Sequence, residues 1–360
     1  MLYREYGQTG KRVSLLGFGG MRFADIDDSE DCLRMIVAAA EGGINYFDTA
    51  PGYCEGKSEP VFGMGFAELR RRGLPYYCAT KTFASDESAI RREIEGQLRR
   101  LDLPAIDFYH VWSIVSLEGW QARKRDGALR AFVRLKEEGL VRHICVSSHL
   151  VGGEIRELLA EGAFEGVLLG YSAYNFRARQ ADFDAIREKK VGAVIMNPLG
   201  GGVITRNEGK FGFLRRPGES MAAAALSFVW DHPDATCALV GFDTVEHIRG
   251  ALAAMDAYRP RSAGELEELK SGPLATFDGI CTGCAYCDDC PEGIPVPKLM
   301  DVYNQKILSG DGGGDPIANR LRWHWHLDRS LAAGCTACGH CEDACTQHID
   351  IIKRLQEIAG

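Results

Sequence analysis

The residues with the clearest chemical potential are cysteines. Thirteen occur in the 360 residues, and eight of them fall in two short runs near the C-terminus. The first run is Cys281-Thr-Gly-Cys284-Ala-Tyr-Cys287-Asp-Asp-Cys290, followed by Pro291. The second is Cys335-Thr-Ala-Cys338-Gly-His-Cys341-Glu-Asp-Ala-Cys345. A cubane iron–sulfur cluster needs thiolates converging from a tight loop. Two-residue spacers let the backbone wrap one face of the cube and point N–H groups at the sulfurs. Zinc is the other reading of clustered cysteines, but it prefers two widely separated pairs to runs of four. The spacing therefore points to two [4Fe-4S] clusters. Cys32, Cys54, Cys78, Cys145 and Cys237 are scattered and read as small apolar packing groups, with Cys54 beside Tyr53 at a pocket rim.

Composition narrows the setting. Hydrophobic residues make up 46% and charged residues 26%, which excludes general disorder. Lys and Arg total 42 against 50 Asp and Glu, a net charge of −8 without a basic block, so nucleic acid is not expected as a partner. Arg320–His326 interleaves basic and aromatic residues; in an acidic chain it is expected to pack against the rest of the protein. No apolar run approaches the roughly 18 residues of a membrane helix, and the start, Met1-Leu2-Tyr3-Arg4-Glu5, carries no apolar signal region. The expected location is the cytoplasm, where thiols stay reduced and clustered cysteines bind metal rather than pair.

Eight short β-like runs precede the cysteine runs: Leu15–Gly19, Ile44–Asp48, Tyr76–Thr80, Ile106–Trp112, Val141–Ser147, Val167–Tyr171, Val191–Met196 and Thr236–Val240. They read as strands buried on both faces, as in a parallel sheet. Helix-period segments lie between them, among them Glu30–Ala40, Ser88–Leu101, Ala128–Glu138, Ile155–Ala160 and Met221–Trp230. Eight β/α units over about 250 residues predict an α/β fold, a (β/α)8 TIM barrel. An open doubly wound sheet loses because no Gly-x-Gly-x-x-Gly turn follows the first strand. Tyr3–Tyr6 and Val13 around Gly7-Gln8-Thr9-Gly10 predict an N-terminal hairpin under the barrel. Composition shifts at Ser271-Gly272-Pro273, which sets domains at 1–273 and 274–360. The second keeps two helical stretches, Lys298–Leu308 and Ile349–Ile358, and a Gly-rich linker, Ser309–Asp315.

The barrel portion resembles the aldo/keto reductase superfamily. The resemblance rests on Tyr46-Phe47-Asp48-Thr49-Ala50 with Tyr53, Ser58-Glu59, Gly63 and Ala79-Thr80-Lys81. It continues through Leu98-Arg99-Arg100-Leu101, Ile106-Asp107-Phe108-Tyr109, Glu138-Gly139-Leu140-Val141-Arg142, Val146-Ser147, Tyr174-Asn175 and Pro198-Leu199-Gly200-Gly201-Gly202. With the cysteine runs added, the chain is similar to the iron–sulfur branch of that family, common in anaerobes, with a helical ferredoxin-like two-cluster domain. Two-cluster ferredoxins let the fourth cysteine of each run ligate the other cluster. That pattern assigns Cys281, Cys284, Cys287 and Cys345 to one cube, and Cys335, Cys338, Cys341 and Cys290 to the other. The second run ends on Thr346 where ferredoxins usually have proline.

The resemblance implies catalysis by Tyr53, Lys81 and Asp48 at the C-terminal ends of strands, where such barrels place their sites. A phenol is a poor acid at neutral pH; a neighbouring lysine held by an aspartate would lower its pKa. The family histidine is replaced by Trp112, a candidate to stack on or shape the substrate, and His110, a further catalytic candidate, lies two residues earlier on the same strand face, about 7 Å deeper. Other substrate- or cofactor-binding candidates are Ser147 and Ser148, where the family has a Ser-Asn pair, Tyr171, where it has glutamine, and Asn197. The stretch expected to clasp a 2′-phosphate reads Gly241-Phe242-Asp243-Thr244, with His247 beyond it. An aspartate there repels phosphate, so NADPH is disfavoured.

These features imply a cytoplasmic iron–sulfur oxidoreductase. It would act on a small carbonyl or hydroxy compound in the barrel, its two clusters relaying electrons from a low-potential donor such as ferredoxin or flavodoxin. One alternative is an NAD(P)H-dependent aldo/keto reductase with the clusters as structure or relay. The other is a non-catalytic electron-transfer protein on a degenerate barrel.

Overall fold

The computed structural model describes residues 1–150, 153–173, 175–176, 179–271, 279–281, 283, 285–309 and 315–360, with the backbone alone at 270, 271, 309, 323 and 324. Tyr174, Cys284, the boundary at Gly272-Pro273 and the centre of the Gly-rich linker lie outside the described residues.

Eight parallel strands close a barrel: β3 (Leu16–Gly19), β4 (Tyr46–Asp48), β5 (Tyr77–Thr82), β6 (Ile106–Ile114), β7 (Val141–Ser148), β8 (Gly166–Gly170), β9 (Gly192–Met196) and β10 (Cys237–Gly241), with β10 paired to β3. Each matches one β-like run of the sequence. The antiparallel hairpin of β1 (Tyr3–Glu5) and β2 (Arg12–Ser14) lies under the barrel. Its loop drives Tyr6, fully buried, up the axis, where the ring lies 4.2 Å from Phe108 and 6.2 Å from Tyr46. Gly166 and Gly192 make room for it. A Cβ on either would meet the Tyr6 ring at 2.5 Å or less.

Alternation along the strands separates two sets of side chains. Tyr46, Ala79, Phe108, Cys145, Leu168, Val194 and Cys237 form the interior layer. Two residues further on, Asp48, Lys81, His110 and Ser147 share that inward phase one layer nearer the mouth. Residues of the other phase, such as Leu169, pack against the helices. The helices expected from periodicity are present, including Met221–Trp230 with its Ser220 cap. The helix Ser58–Arg72 has no counterpart in the periodicity reading, because Pro60, Gly63 and Gly65 interrupt its apolar pattern. Gly63 is required there: a Cβ would strike the Arg100 carbonyl oxygen at 2.2 Å. Among the described residues no helix is long and apolar enough to cross a membrane.

The C-terminal region builds its own small core from helices Val296–Ser309 and Ile351–Ala359 and the cysteine loops. The Arg320–His326 segment packs onto it. Arg320 Nε and Trp325 Nε1 both donate to Asp301, at 2.9 and 2.8 Å. Ile280 and Leu308 join the apolar core of the barrel.

Candidate functional site

The mouth of the barrel gathers Asp48, Tyr53, Lys81, His110 and Trp112. Lys81 is fully buried at the end of β5, and its Nζ donates to Asp48 Oδ1 at 2.7 Å and to the Thr49 carbonyl at 2.8 Å. Burial pushes the Asp48 carboxyl up, opposed by Lys81. Its Oδ2 is buried with no partner. Tyr53 begins a short turn whose next two residues, Cys54 and Glu55, are left-handed (φ 50° and 57°). Two adjacent non-glycine residues in that region carry strain, and this turn aims the Tyr53 ring over the mouth. The Cys54 thiol is pushed up by burial, so the group packs rather than reacts.

The Lys81 Nζ lies over the Tyr53 ring, 4.9 Å from the centroid. Burial, with Asp48 second, holds the phenol well above its ordinary value. Burial and the Asp48 charge therefore act against the expected lowering of that pKa by Lys81.

Trp112 stands at the mouth with its ring 5.8 Å from Tyr53, edge to face, and 3.9 Å from the exposed Phe83, stacked. A register shift between Val111 and Ile114, with Ser113 at φ 56°, bends the end of β6 and re-aims this tryptophan. His110 pairs in register with Lys81 on the adjacent strand. Its Nδ1 lies 3.3 Å from the Thr80 carbonyl, and its Nε2 is buried without a partner. Burial and then the Lys81 charge push its pKa down to about 3, so the ring is neutral at ordinary pH.

The other candidates divide. Ser147 is buried and shares the inward phase, whereas Ser148 faces the other way and its hydroxyl accepts from Leu150 N at 3.2 Å. Tyr171 belongs to the outward phase. Its ring packs against Phe183, Phe228 and His232 in the helical layer, so it does not reach the mouth. The position where the family has glutamine is thus filled by an outward-facing side chain. Asn197 is half-buried and left-handed at the end of β9 (φ 55°). In the phosphate-loop stretch, Asp243 pairs with His247, and Thr244 caps the helix Val245–Ala257.

Two residues escaped sequence reasoning. Arg123 donates to the carbonyls of Trp112 and Phe83, both at 2.6 Å, and so ties the ends of β5 and β6 that carry the aromatic lip. His149 follows β7 directly. Its backbone N–H donates to Ile114 at 2.8 Å, and its ring sits 4.9 Å from Tyr286, which lies between Cys284 and Cys287. Its Nε2 is buried and unpartnered. Burial, then Arg179 and His348, push its pKa down to about 3. Its place just after the family's Ser-Asn position was the available signal.

The cysteines collect in two places. Cys290, Cys335, Cys338 and Cys341 line one small cavity, although Cys290 comes from the other run. Cys281, Cys287 and Cys345 are buried in the adjoining core. Asn304 pins the Cys281 backbone with two bonds, 2.8 Å from its N–H and 2.7 Å to its carbonyl. Backbone N–H groups aim at sulfur in both places: Gly283 at Cys281, Ala337 at Cys335 and Ile349 at Cys345, each at 3.4 Å. Thiols in apolar loops ringed by N–H donors fit iron–sulfur ligation. The turn after Cys345 closes without proline, through His348 N–H to the Cys345 carbonyl at 3.2 Å.

Comparison with known proteins agrees with this geometry. Residues 15–271 match the aldo/keto reductase family model, and residues 280–351 match a 4Fe-4S dicluster domain. The chain is 29% identical over 304 residues to the uncharacterized oxidoreductase YrpG of Bacillus subtilis, covering 71% of this chain and 91% of that one. It is 25% identical over 282 residues to L-galactose dehydrogenase of Arabidopsis thaliana, covering 70% and 87%. Among solved structures, an aldo-keto reductase from Bacillus halodurans in its holo form superposes with a TM-score of 0.66 at 23% identity, over 75% of this chain and 96% of that one. An aldo/keto reductase from Klebsiella pneumoniae, in complex with NADP and acetate, gives 0.63 at 20%, over 74% and 93%. At those identities the two structures show the fold alone. The family match spans most of the chain: the protein belongs to the aldo/keto reductase family and is an oxidoreductase carrying a 4Fe-4S dicluster domain.

Proposed function

We propose that the protein reduces or oxidises a small carbonyl or hydroxy compound in the barrel mouth, with electrons passing through two [4Fe-4S] clusters. The observation that carries this reading is the 4.9 Å contact between His149 at the end of β7 and Tyr286 in the first cysteine loop. It sets a cluster-binding loop against the end of the barrel where Lys81, Asp48 and Tyr53 lie. Cys281, Cys284, Cys287 and Cys345 would hold one cluster, and Cys335, Cys338, Cys341 and Cys290 the other. When bound, these groups supply single electrons at low potential. The donor is a low-potential protein such as a ferredoxin or flavodoxin.

The chain's own residues orient the substrate and supply a proton. Converting a carbonyl to an alcohol consumes two electrons and two protons. Tyr53, a phenol protonated at neutral pH, gives one proton to the carbonyl oxygen; the other comes from solvent. Trp112 and Phe83 form an apolar lip that shapes the substrate and excludes water. Lys81, fixed by Asp48, keeps a positive charge under the mouth that favours developing negative charge on oxygen.

A nicotinamide-driven reaction is the competing account. In the phosphate loop His247 faces Asp243, which sets a carboxylate beside any 2′-phosphate bound there, although Arg22 packs against Gly241. Loss of even one charge-assisted hydrogen bond costs about 1.5–3 kcal/mol, or roughly 10- to 150-fold in affinity. Anaerobic calorimetry with NADPH and NADH separates the two accounts. Binding of NADPH no tighter than NADH is expected. A micromolar or tighter NADPH constant, well below that for NADH, would restore the nicotinamide-dependent reductase.

A further inference from the structure

Arg354 lies on the last helix, Ile351–Ala359, and its surroundings are unusual for a cation. Its guanidinium carbon sits 4.7 Å from the centroid of the Tyr303 ring. Nη1 is buried and has no hydrogen-bond partner. The thiols of Cys281 and Cys345 and the Asp350 carboxylate are within electrostatic reach. On the other side, Gly279 passes so close that a Cβ there would meet Nη2 at 2.8 Å. Glu357, one turn along the same helix, could have neutralised the charge. It instead accepts from Lys306 and from the Tyr303 hydroxyl, both at 2.7 Å. Among the described residues no carboxylate pairs with Arg354.

A guanidinium stays charged in proteins. A half-buried cation with no carboxylate bonded to it is costly, and a buried donor left unmade adds to that cost. Both costs vanish if a net-negative group occupies the space between Cys281 and Cys345. At the other cysteine site Glu292 and His340 line the cavity and Glu342 stands beside Cys341, with no arginine among the described lining residues.

We propose that Arg354 raises the reduction potential of the cluster held by Cys281 and Cys345, with its Nη1–H donating to a sulfur of that site. The inference rests on the reading that both cysteine sites hold [4Fe-4S] clusters. Adding an electron makes a cluster more negative, so a fixed cation and an N–H donor favour the reduced form. Carboxylates beside the second site favour its oxidised form. The two sites therefore form a potential step. Electrons enter at the Cys290–Cys335–Cys338–Cys341 site and run downhill to the site whose loop carries Tyr286 to the barrel. Arg354 is a tuning residue and touches no substrate.

The test is an anaerobic redox titration followed by electron paramagnetic resonance on the wild-type holoprotein, Arg354→Gln and Arg354→Lys, each with iron and sulfide analysis. Two potentials are expected in the wild type. Arg354→Gln should make the higher one more negative by at least tenfold in the reduction equilibrium, 59 mV for one electron, and shift the lower one less. Arg354→Lys should restore most of the difference. A loaded Arg354→Gln protein with both potentials unchanged overturns the proposal. A wild-type protein without acid-labile sulfide overturns the cluster reading itself, and the proposal with it. If Arg354→Gln fails to load, the wild type labelled with 15N-arginine decides. A nitrogen coupling in the pulsed spectrum of the reduced protein supports the contact, and its absence overturns it.

Discussion

Lys81 joins Asp48, the Thr49 carbonyl and the face of the Tyr53 ring, and this arrangement assigns the roles in the mouth. On the proposed reading the Tyr53 phenol donates the proton in reduction, and its phenolate accepts one in oxidation. Tyr53→Phe should therefore abolish turnover in either assay direction while leaving the ring packing and the cluster spectra intact. Full activity in that variant would mean the barrel uses other chemistry. His110 makes a pH prediction. Its folded pKa is about 3, against roughly 6.5 when unfolded. Between those values the unfolded chain binds more protons, so the advantage of the neutral buried ring is full above about pH 6.5 and is lost as pH falls towards 3. Thermal midpoints of the holoprotein measured from pH 7.5 down to 5 should fall less steeply for His110→Gln than for the wild type. Equal slopes would place His110 in a wetter site. That Asp48, Tyr53 and Lys81 come together was legible because they follow strand ends in a recognisable order. His149 and Arg123 were not, since each matters through a partner distant in sequence, Tyr286 for one and the Trp112 and Phe83 carbonyls for the other.

The elements explain which sequence readings carried over. Apolar runs marked all eight barrel strands, because strands buried on both faces need little else. Facing direction was harder to read. Tyr171 was matched to a cofactor position by order alone, yet alternation along β8 turns it out against Phe183 and Phe228. The helix Ser58–Arg72 hid behind Pro60 and its glycines, which answer to packing rather than to helix propensity. The plug under the barrel offers a direct test of this packing. Gly166→Ala would set a Cβ against the Tyr6 ring and should cost about 1–3 kcal/mol. Tyr6→Leu alone should also destabilise, but the double variant should cost less than the sum. Strict additivity in denaturant unfolding would mean that Tyr6 does not occupy the space beside β8.

For the whole molecule, a barrel site and a cysteine-rich domain meet at the barrel mouth. Ile280 and Leu308 bury themselves in the barrel core, and Tyr286 reaches His149. Sequence revealed both parts, because cysteine spacing and strand-end motifs are local. It could not reveal the junction, which depends on contacts between residues more than a hundred positions apart. The central claim is that the two parts act together, the clusters passing electrons to a carbonyl compound in the mouth. Stopped-flow mixing of the anaerobically reduced holoprotein with a panel of small aldehydes and ketones tests it most directly, with the visible absorbance of the clusters as the readout. The account predicts that at least one compound reoxidises the clusters and yields its alcohol in the wild type, with the reaction lost in Tyr53→Phe. Clusters that stay reduced with every compound, while NADPH alone drives reduction of the same panel, would contradict it.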